Sequence, residues 1–476
     1  RSVYSDATTT ITSDGWQSHA IHPRHGVRQG DPLSPFIFNM VMDRLLKSLP
    51  DEVGADIGRV KVGAVAFADD LVLTASTAAG LQQLLNSAAG FLASCGLSVN
   101  TGKSFFVSIG TVLRQKKNTV DPGTFLLGGQ KLVAKKRTEQ WKYLGVLFTP
   151  EGRMRFDPTT TLSNALLRIS KAPLKPQQRL FALRIYLLPG LYHAVSLGAI
   201  RVGTLKKCDR ITRSAVRRWL DLPADTLVAN FHADIKSGRL GVPSLRWTIP
   251  INRLNRLEKL RLSALANTSK AEPYLRYEIT KVKDQLTEKG VVIDNAMKST
   301  RRIAAALHNS VDGGALMESR KIPQQNRWIA EDTRFLSGRD FVLTYKLRIN
   351  AMPTKSRTSK GRIHDRSCRA GCNASETLNH VLQICYRTHD ARIRRHDAVV
   401  TYLARGLEQR KYRVTREAEF RTEEGVRKPD LIATKMGRSI VIDAQVVNDQ
   451  TILDLAHKRK AETTTRQTPA SGAQLR

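Results

Sequence analysis

Two adjacent carboxylates, Asp69 and Asp70, stand in "VGAVAFADDLVLTAS" (Val62–Ser76) between two apolar runs of β-forming character. Charge in such surroundings costs free energy unless a partner neutralises it, and a divalent cation suits two neighbouring carboxylates. Along a continuous strand, neighbouring side chains point to opposite faces. A hairpin tip presents both on one side, so the pair predicts a β-hairpin turning at the aspartates. Upstream, "GVRQGDPLSPFIFNMVMDRLLKSLP" begins as a turn-rich loop and becomes a helix. Ser34 and Pro35 suit its N-cap and first position, and Ile37, Met40, Val41, Leu45 and Leu49 follow at helical spacing. Downstream, "AAGLQQLLNSAAGFLASCG" is an amphipathic helix with Leu81, Leu84, Leu85 and Leu92 inward and Gly96 at its end. "LSVNTGKSFFVSI", bearing Lys103, then reads as a strand, and "WKYLGVLF" (Trp141–Phe148) as another.

At 476 residues the chain is too long for one ordinary domain, and two to four are expected. Its 77 Lys and Arg against 42 Asp and Glu leave a net charge of +35. A surplus that large predicts a polyanionic partner, most simply nucleic acid; a ribosome-like or membrane-surface basic protein is the plainer alternative. No apolar run reaches the roughly 18 residues of a membrane span, so no membrane partner is expected. The nearest run, Ile185–Ile200, contains Pro189, Gly190 and His193 and reads as buried helix plus turn. Five cysteines form no disulfide framework and suit a reducing compartment. The chain begins at Arg1 without Met or a signal pattern, which suggests a piece of something longer.

"QGDPLSP", "FADD", "GLSVNTGKS" and "WKYLGVLF", in this order and spacing, resemble four successive motifs of reverse transcriptases of the non-LTR retrotransposon type. The resemblance implies a polymerase palm, in which Mg2+ ions about 4 Å apart serve nucleotidyl transfer. It makes Asp69 the principal ligand and Asp70 the supporting one, and puts Gln29 and Gly30 under the incoming nucleotide. Lys103 becomes a proton donor to the pyrophosphate, with an exposed strand-end lysine as the alternative reading. Such a palm needs a further aspartate on an earlier strand. Asp6 and Asp14 lie in polar surroundings that do not fit, so that ligand is expected upstream of Arg1. From about Asn164 the chain turns helical and basic, as in "KKCDRITRSAVRRWLDLP", which suits a thumb gripping duplex phosphates or an amphipathic bundle with a solvated face. "KSGRLGVPS" (Lys236–Ser244) reads as a linker.

"CRAGCNASETLNHVLQIC" holds Cys368, Cys372, His380 and Cys385 in a C-x3-C-x7-H-x4-C array. Three thiolates and an imidazole make a closed tetrahedral Zn2+ site of structural type. Cys95 and Cys208 have no such company and read as core residues. The array resembles the nucleic-acid-binding zinc knuckle of site-specific non-LTR elements. Further on, "RKPDLIATKMGRSIVIDAQVVN" is a strand, a turn at "KMGR" and a strand, carrying Asp430 and Asp443. It resembles the restriction-endonuclease-like core, in which two acids hold Mg2+ and a lysine helps activate water. Gln445 stands where that lysine is usual. The next segment, "TILDLAHKRKAE", offers Lys458 and Lys460, and Lys460 sits at the interval used by site-specific non-LTR elements. Only 16 residues follow Lys460, and "TTTRQTPASGAQLR" reads as an unstructured end, shorter than the family's usual continuation.

The expected fold is therefore multidomain α+β. It comprises a partial right-hand polymerase palm (1–155), a helical thumb (156–235) and a helical linker (236–350). A small zinc knuckle (351–396) and an α/β restriction-endonuclease-like domain (397–476) complete it. The resemblance implies a ribosomal-DNA-targeting non-LTR retrotransposon polyprotein engaged in target-primed reverse transcription in the nucleus. Its partners would be the element RNA template, target double-stranded DNA in a ribosomal RNA gene, and dNTPs. Two other functions remain open on the residues: an inactive polymerase relative serving as an RNA-binding scaffold or maturase, and a site-specific DNA nickase alone.

Overall fold

The computed structural model describes residues 8–22, 26–28, 30–57, 60–112, 117–120, 123–154, 156–263, 272–310, 313, 322, 324–330, 334–359, 365–422, 425–447 and 451–465. Asp6, Gln29 and the end of the polar tail from residue 466 lie outside the described residues. The chain divides into two compact units. One comprises Arg1–Phe156, His193–Ile200 and Ile249–Val292; the other comprises Asp157–Tyr192, Arg201–Thr248 and Ile293–Arg476.

In the first unit, helices α1 (Ser34–Ser48) and α2 (Ala78–Ser94) pack on a hairpin of strands β1 (Ala64–Phe67) and β2 (Asp70–Leu73). Met42, Leu45, Leu49, Leu84, Ala88 and Leu92 form the core, with Ala64, Ala66, Leu71 and Leu73 of the hairpin against it. Two details of α1 differ from the sequence reading. Leu33 is its cap and contributes no side-chain bond, while Asp31 Oδ1 accepts from the Leu33 N–H at 2.9 Å. Met42 rather than Met40 is buried, because Met40 lies five residues, roughly 140° around the helix, from Leu45. Helix α2 is capped by Thr77, whose Oγ1 accepts from the Gly80 N–H at 3.1 Å.

The stretch expected to be a strand around Lys103 is a short 3-10 turn, Thr101–Lys103, capped by Asn100 Oδ1 accepting from the Lys103 N–H at 3.1 Å. Asn100 competes locally for the backbone donors that a ladder would need. Pairing begins only at Phe105–Phe106, which runs parallel to Val133–Ala134. "WKYLGVLF" is a hairpin, not one strand: β3 (Trp141–Tyr143) pairs with β4 (Val146–Thr149). Leu144 at φ +47° and Gly145 at φ +81° make its two-residue turn, the conformation that matches strand twist.

The second unit is mainly helical until its C-terminal sheet. Helices Thr159–Lys171 and Val202–Trp219 pack together, the first burying Leu162 and Leu166 and the second Leu205, Cys208 and Val216. Cys208 is buried as expected, but Cys95 is exposed because it forms the C-cap of α2, where the helix leaves the core. The turn expected near Pro189 is absent; the chain runs helically from Pro176 to Leu197. A π-helical segment, Ala182–Leu187, precedes Pro189, and its wider turn absorbs the missing proline donor. This 22-residue helix, with mean hydropathy 1.4, is long and apolar enough to cross a membrane. Leu180, Leu183 and Leu188 along it are fully buried, while Ile185 and Tyr186 are exposed. Lys236–Ser244 is no linker: Ser237, Arg239, Leu240 and Val242 are buried. The N–H groups of Leu240, Gly241 and Val242 donate to the carbonyls of Asn230, Ala233 and Phe231 at 3.2, 2.9 and 2.8 Å. Arg184 Nη1 and Nη2 reach the Leu240 and Ile329 carbonyls at 2.9 and 3.3 Å, bolting three segments together.

Candidate metal centres

The hairpin of β1 and β2 closes by a two-residue turn, Ala68–Asp69, with Phe67 paired to Asp70. Ala68 takes φ +51°, the left-handed conformation that such a turn requires. Asp69 and Asp70 are thus adjacent at the tip and both exposed, two hard oxygen donors of the kind Mg2+ takes. Tyr143 of β3 lies within the field of Asp70. Burial pushes its phenol pKa up, and the Asp70 charge adds to the shift. Its Oη is buried with no hydrogen-bond partner among the described residues. The β3–β4 turn is held by a residue the sequence reading missed: His193 Nε2 lies 2.7 Å from the Leu144 carbonyl. A lone histidine 49 positions away carries no local signal of that role. Lys103 makes no ion pair with Asp69 or Asp70 among the described residues, so its 3-10 turn does not join it to them. Gly30 sits exposed at φ +92° just ahead of α1. Asp14 lies in an exposed turn between Thr12–Ser13 and Trp16–Gln17.

In the second unit, Cys368, Cys372, His380 and Cys385 place one ligand atom each within 4.8 Å of all the others. The Cys368 and Cys372 sulfurs lie 3.8 and 3.7 Å from Cys385 Sγ. Tetrahedral zinc with Zn–S bonds of about 2.3 Å would set its sulfurs roughly 3.8 Å apart, whereas a disulfide needs about 2.05 Å. His380 is buried and its Nε2 has no hydrogen-bond partner among the described residues. Donor chemistry, spacing and that orphaned nitrogen fit zinc together. The Ala370 N–H, 3.4 Å from Cys368 Sγ, leads the influences drawing that thiol down to about 7, with His380 and the other thiols adding to it. Glu376, buried inside the array, accepts from the Arg369 and Lys355 N–H groups at 3.0 and 2.9 Å and pins the loop.

Helix α3 (His389–Gln409) follows directly and is fastened to this unit. Arg395 Nη2 donates to the Leu382 carbonyl at 3.1 Å, and Arg392 donates to the Gln383 carbonyl. The helix packs on a three-stranded antiparallel sheet of β5 (Arg413–Arg416), β6 (Leu431–Lys435) and β7 (Arg438–Ile442), in that order. Met436 and Gly437, at φ +51° and +75°, form the tight turn expected at "KMGR". At the open end of that hairpin Leu431 pairs with Ile442, which leaves Asp430 and Asp443 flanking the pair. Helix α4 (Leu453–Thr465) brings Lys460 Nζ to 3.0 Å from Asp443 Oδ2; Lys458 is exposed instead. Asp430 Oδ2 receives the Ala444 N–H at 2.6 Å and faces His396 Nε2 at 3.3 Å. Burial, then the neighbouring Asp443 carboxyl, raises the Asp430 pKa. The structure therefore brings Asp430, Asp443 and Lys460 together and adds His396, which sequence reasoning missed. Gln445 and Lys460 line a cleft of about 400 Å³ with Asn379, Gln383 and Arg459.

Residues 2–148 match the reverse transcriptase (RNA-dependent DNA polymerase) family, the stretch that includes the aspartate hairpin. Beyond it, the chain is 45% identical over 461 residues to the Retrovirus-related Pol polyprotein from type-2 retrotransposable element R2DM of Drosophila melanogaster. That match covers 97% of this chain and 44% of the relative. A type-1 element R2 polyprotein of Nasonia vitripennis is 36% identical with the same two shares, 97% and 44%. One from Popillia japonica is 32% identical over 386 residues, covering 80% of this chain and 79% of that protein. The chain belongs to the R2 retrotransposable-element Pol polyproteins. It spans 44% of the length of the Drosophila and Nasonia R2 polyproteins. The R2 likeness extends well past the reverse transcriptase match, and its 97% share takes in Cys368 to Lys460. The four-motif resemblance thus led to the right family.

Proposed function

We propose that this chain is the part of an R2-type polyprotein that joins RNA-directed DNA polymerisation to DNA cleavage, within target-primed reverse transcription in the nucleus. The observation that carries it is the exposed Asp69–Asp70 pair at a two-residue hairpin tip inside the stretch matching reverse transcriptases. Asp69 and Asp70 would hold Mg2+, which when bound activates a primer 3′-hydroxyl and offsets charge on the leaving pyrophosphate. Gln29 and Gly30 would shape the floor beneath the dNTP. Lys103 is retained as a proton donor only through the family resemblance. The RNA template and target duplex, a ribosomal RNA gene, would be gripped through phosphates by the surplus of cationic side chains.

The second chemistry is assigned to Asp430 and Asp443 as Mg2+ ligands, with Lys460 polarising the attacking water. The close approach of Lys460 to Asp443 supports this role. Cys368, Cys372, His380 and Cys385 would hold structural zinc. Primer extension on an RNA template by the full-length protein tests the first activity: Asp69→Ala should lower extension at least 1,000-fold, on the order of a lost catalytic metal. Extension at the wild-type rate would overturn it. Nicking of a supercoiled plasmid carrying a large-subunit ribosomal RNA gene tests the second, and equal nicking by wild type and Asp443→Ala would remove the nuclease assignment.

A further inference from the structure

His396 lies on the second turn of α3, 34 residues before Asp430, and neither the motif spacing nor the two-carboxylate pattern includes it. Its Nε2 is 3.3 Å from Asp430 Oδ2, and its Nδ1 faces Asp397 Oδ1 at 3.5 Å. The same Asp430 oxygen takes the Ala444 N–H at 2.6 Å. Two donors from different elements, a helix side chain and the backbone after β7, therefore converge on one oxygen of the carboxylate. A carboxylate on a single-bond torsion is free to rotate unless such donors fix it, and ligands fixed this way bind metal more tightly. α3 is itself immobilised by packing on β5 and β6 and by Arg392 and Arg395, so the imidazole is carried on a rigid support.

We propose that His396 is a positioning residue of the cleavage centre: it clamps Asp430 Oδ2 so that the other oxygen is presented to the divalent cation. This rests on the nuclease reading of Asp430 and Asp443. Lys460 performs the matching service across the pair by engaging Asp443 Oδ2 at 3.0 Å, so each acid is restrained from its own helix.

The test is Mg2+-dependent nicking of the same plasmid by the full-length protein, titrated in Mg2+, with plasmid binding measured separately in its absence. His396→Leu should raise the half-saturating Mg2+ concentration about tenfold, the scale of a lost outer-sphere partner, and leave metal-free binding unchanged. His396→Gln, whose amide N–H reaches a similar point, should restore most of the Mg2+ affinity. An unchanged Mg2+ titration in His396→Leu would overturn the proposal. So would failure of both variants at every Mg2+ concentration, since that marks a fold requirement and not a donor. Asp430→Ala separates the two ideas: wild-type nicking by that variant would defeat the nuclease reading itself, whereas its inactivity beside an unaffected His396→Leu would defeat only the clamp.

Discussion

Cys385 Sγ is the sulfur nearest both other cysteines, 3.8 Å from Cys368 and 3.7 Å from Cys372. Cys385→Ser should therefore abolish stoichiometric zinc, measured by metal analysis of the purified protein, and lower the thermal midpoint of the second unit, because metal binding and folding are coupled. One zinc retained per chain would remove Cys385 from the ligand set. Gly145 offers a different residue-scale test. It holds φ +81°, and a Cβ there would lie 3.1 Å from His193 Cδ2. Gly145→Ala combines left-handed strain with that crowding, and a loss of about 1–3 kcal/mol is expected by chemical denaturation. The clustering of the Cys/His array was legible because its four side chains sit close in sequence and their chemistry is narrow. His193 and His396 were not, because each acts on a segment far along the chain and only the fold brings it there. Cys95 misled for a simpler reason: a helix end carries a residue out of the core, whatever its own preference for burial.

The elements divide in the same way. Hairpins 64–73 and 431–442 could be read from alternating apolar runs around a short polar or glycine-bearing turn, since turn chemistry and strand pattern agree. The helix through Pro189 could not, because the compensating π turn involves no distinctive residue. "KSGRLGVPS" looked like a linker by its glycines, yet its backbone donors are satisfied by the segment around Asn230 and its side chains are buried. Arg184 is the fastening of that region. Burial lowers its pKa, yet two carbonyls keep the guanidinium satisfied. Arg184→Ala strands the Leu240 and Ile329 carbonyls and opens a cavity; urea unfolding should show a loss of about 1–3 kcal/mol for each carbonyl left unpaired. A change under 1 kcal/mol would mean that those carbonyls find other donors.

At the scale of the whole molecule, +35 of net charge would make the proposed nucleic-acid binding a function of ionic strength. If six or more phosphates are contacted, binding of a labelled RNA should weaken about 1,000-fold or more between 50 and 200 mM salt, measured by fluorescence anisotropy. A flat salt profile would assign the surplus to solubility instead. The mixed helix-and-sheet character was legible in the pattern, but the fastening of α3 to the Cys/His array was not, since arginines aimed at carbonyls look like any other basic run. That fastening bears on anyone who would transplant α3 and its sheet. The carbonyls of Leu382 and Gln383 end one element by borrowing donors from Arg395 and Arg392 of the next. A gene fusion cut between Cys385 and His389 would leave polar ends bare on both sides of the seam, so a usable graft has to begin ahead of Cys368.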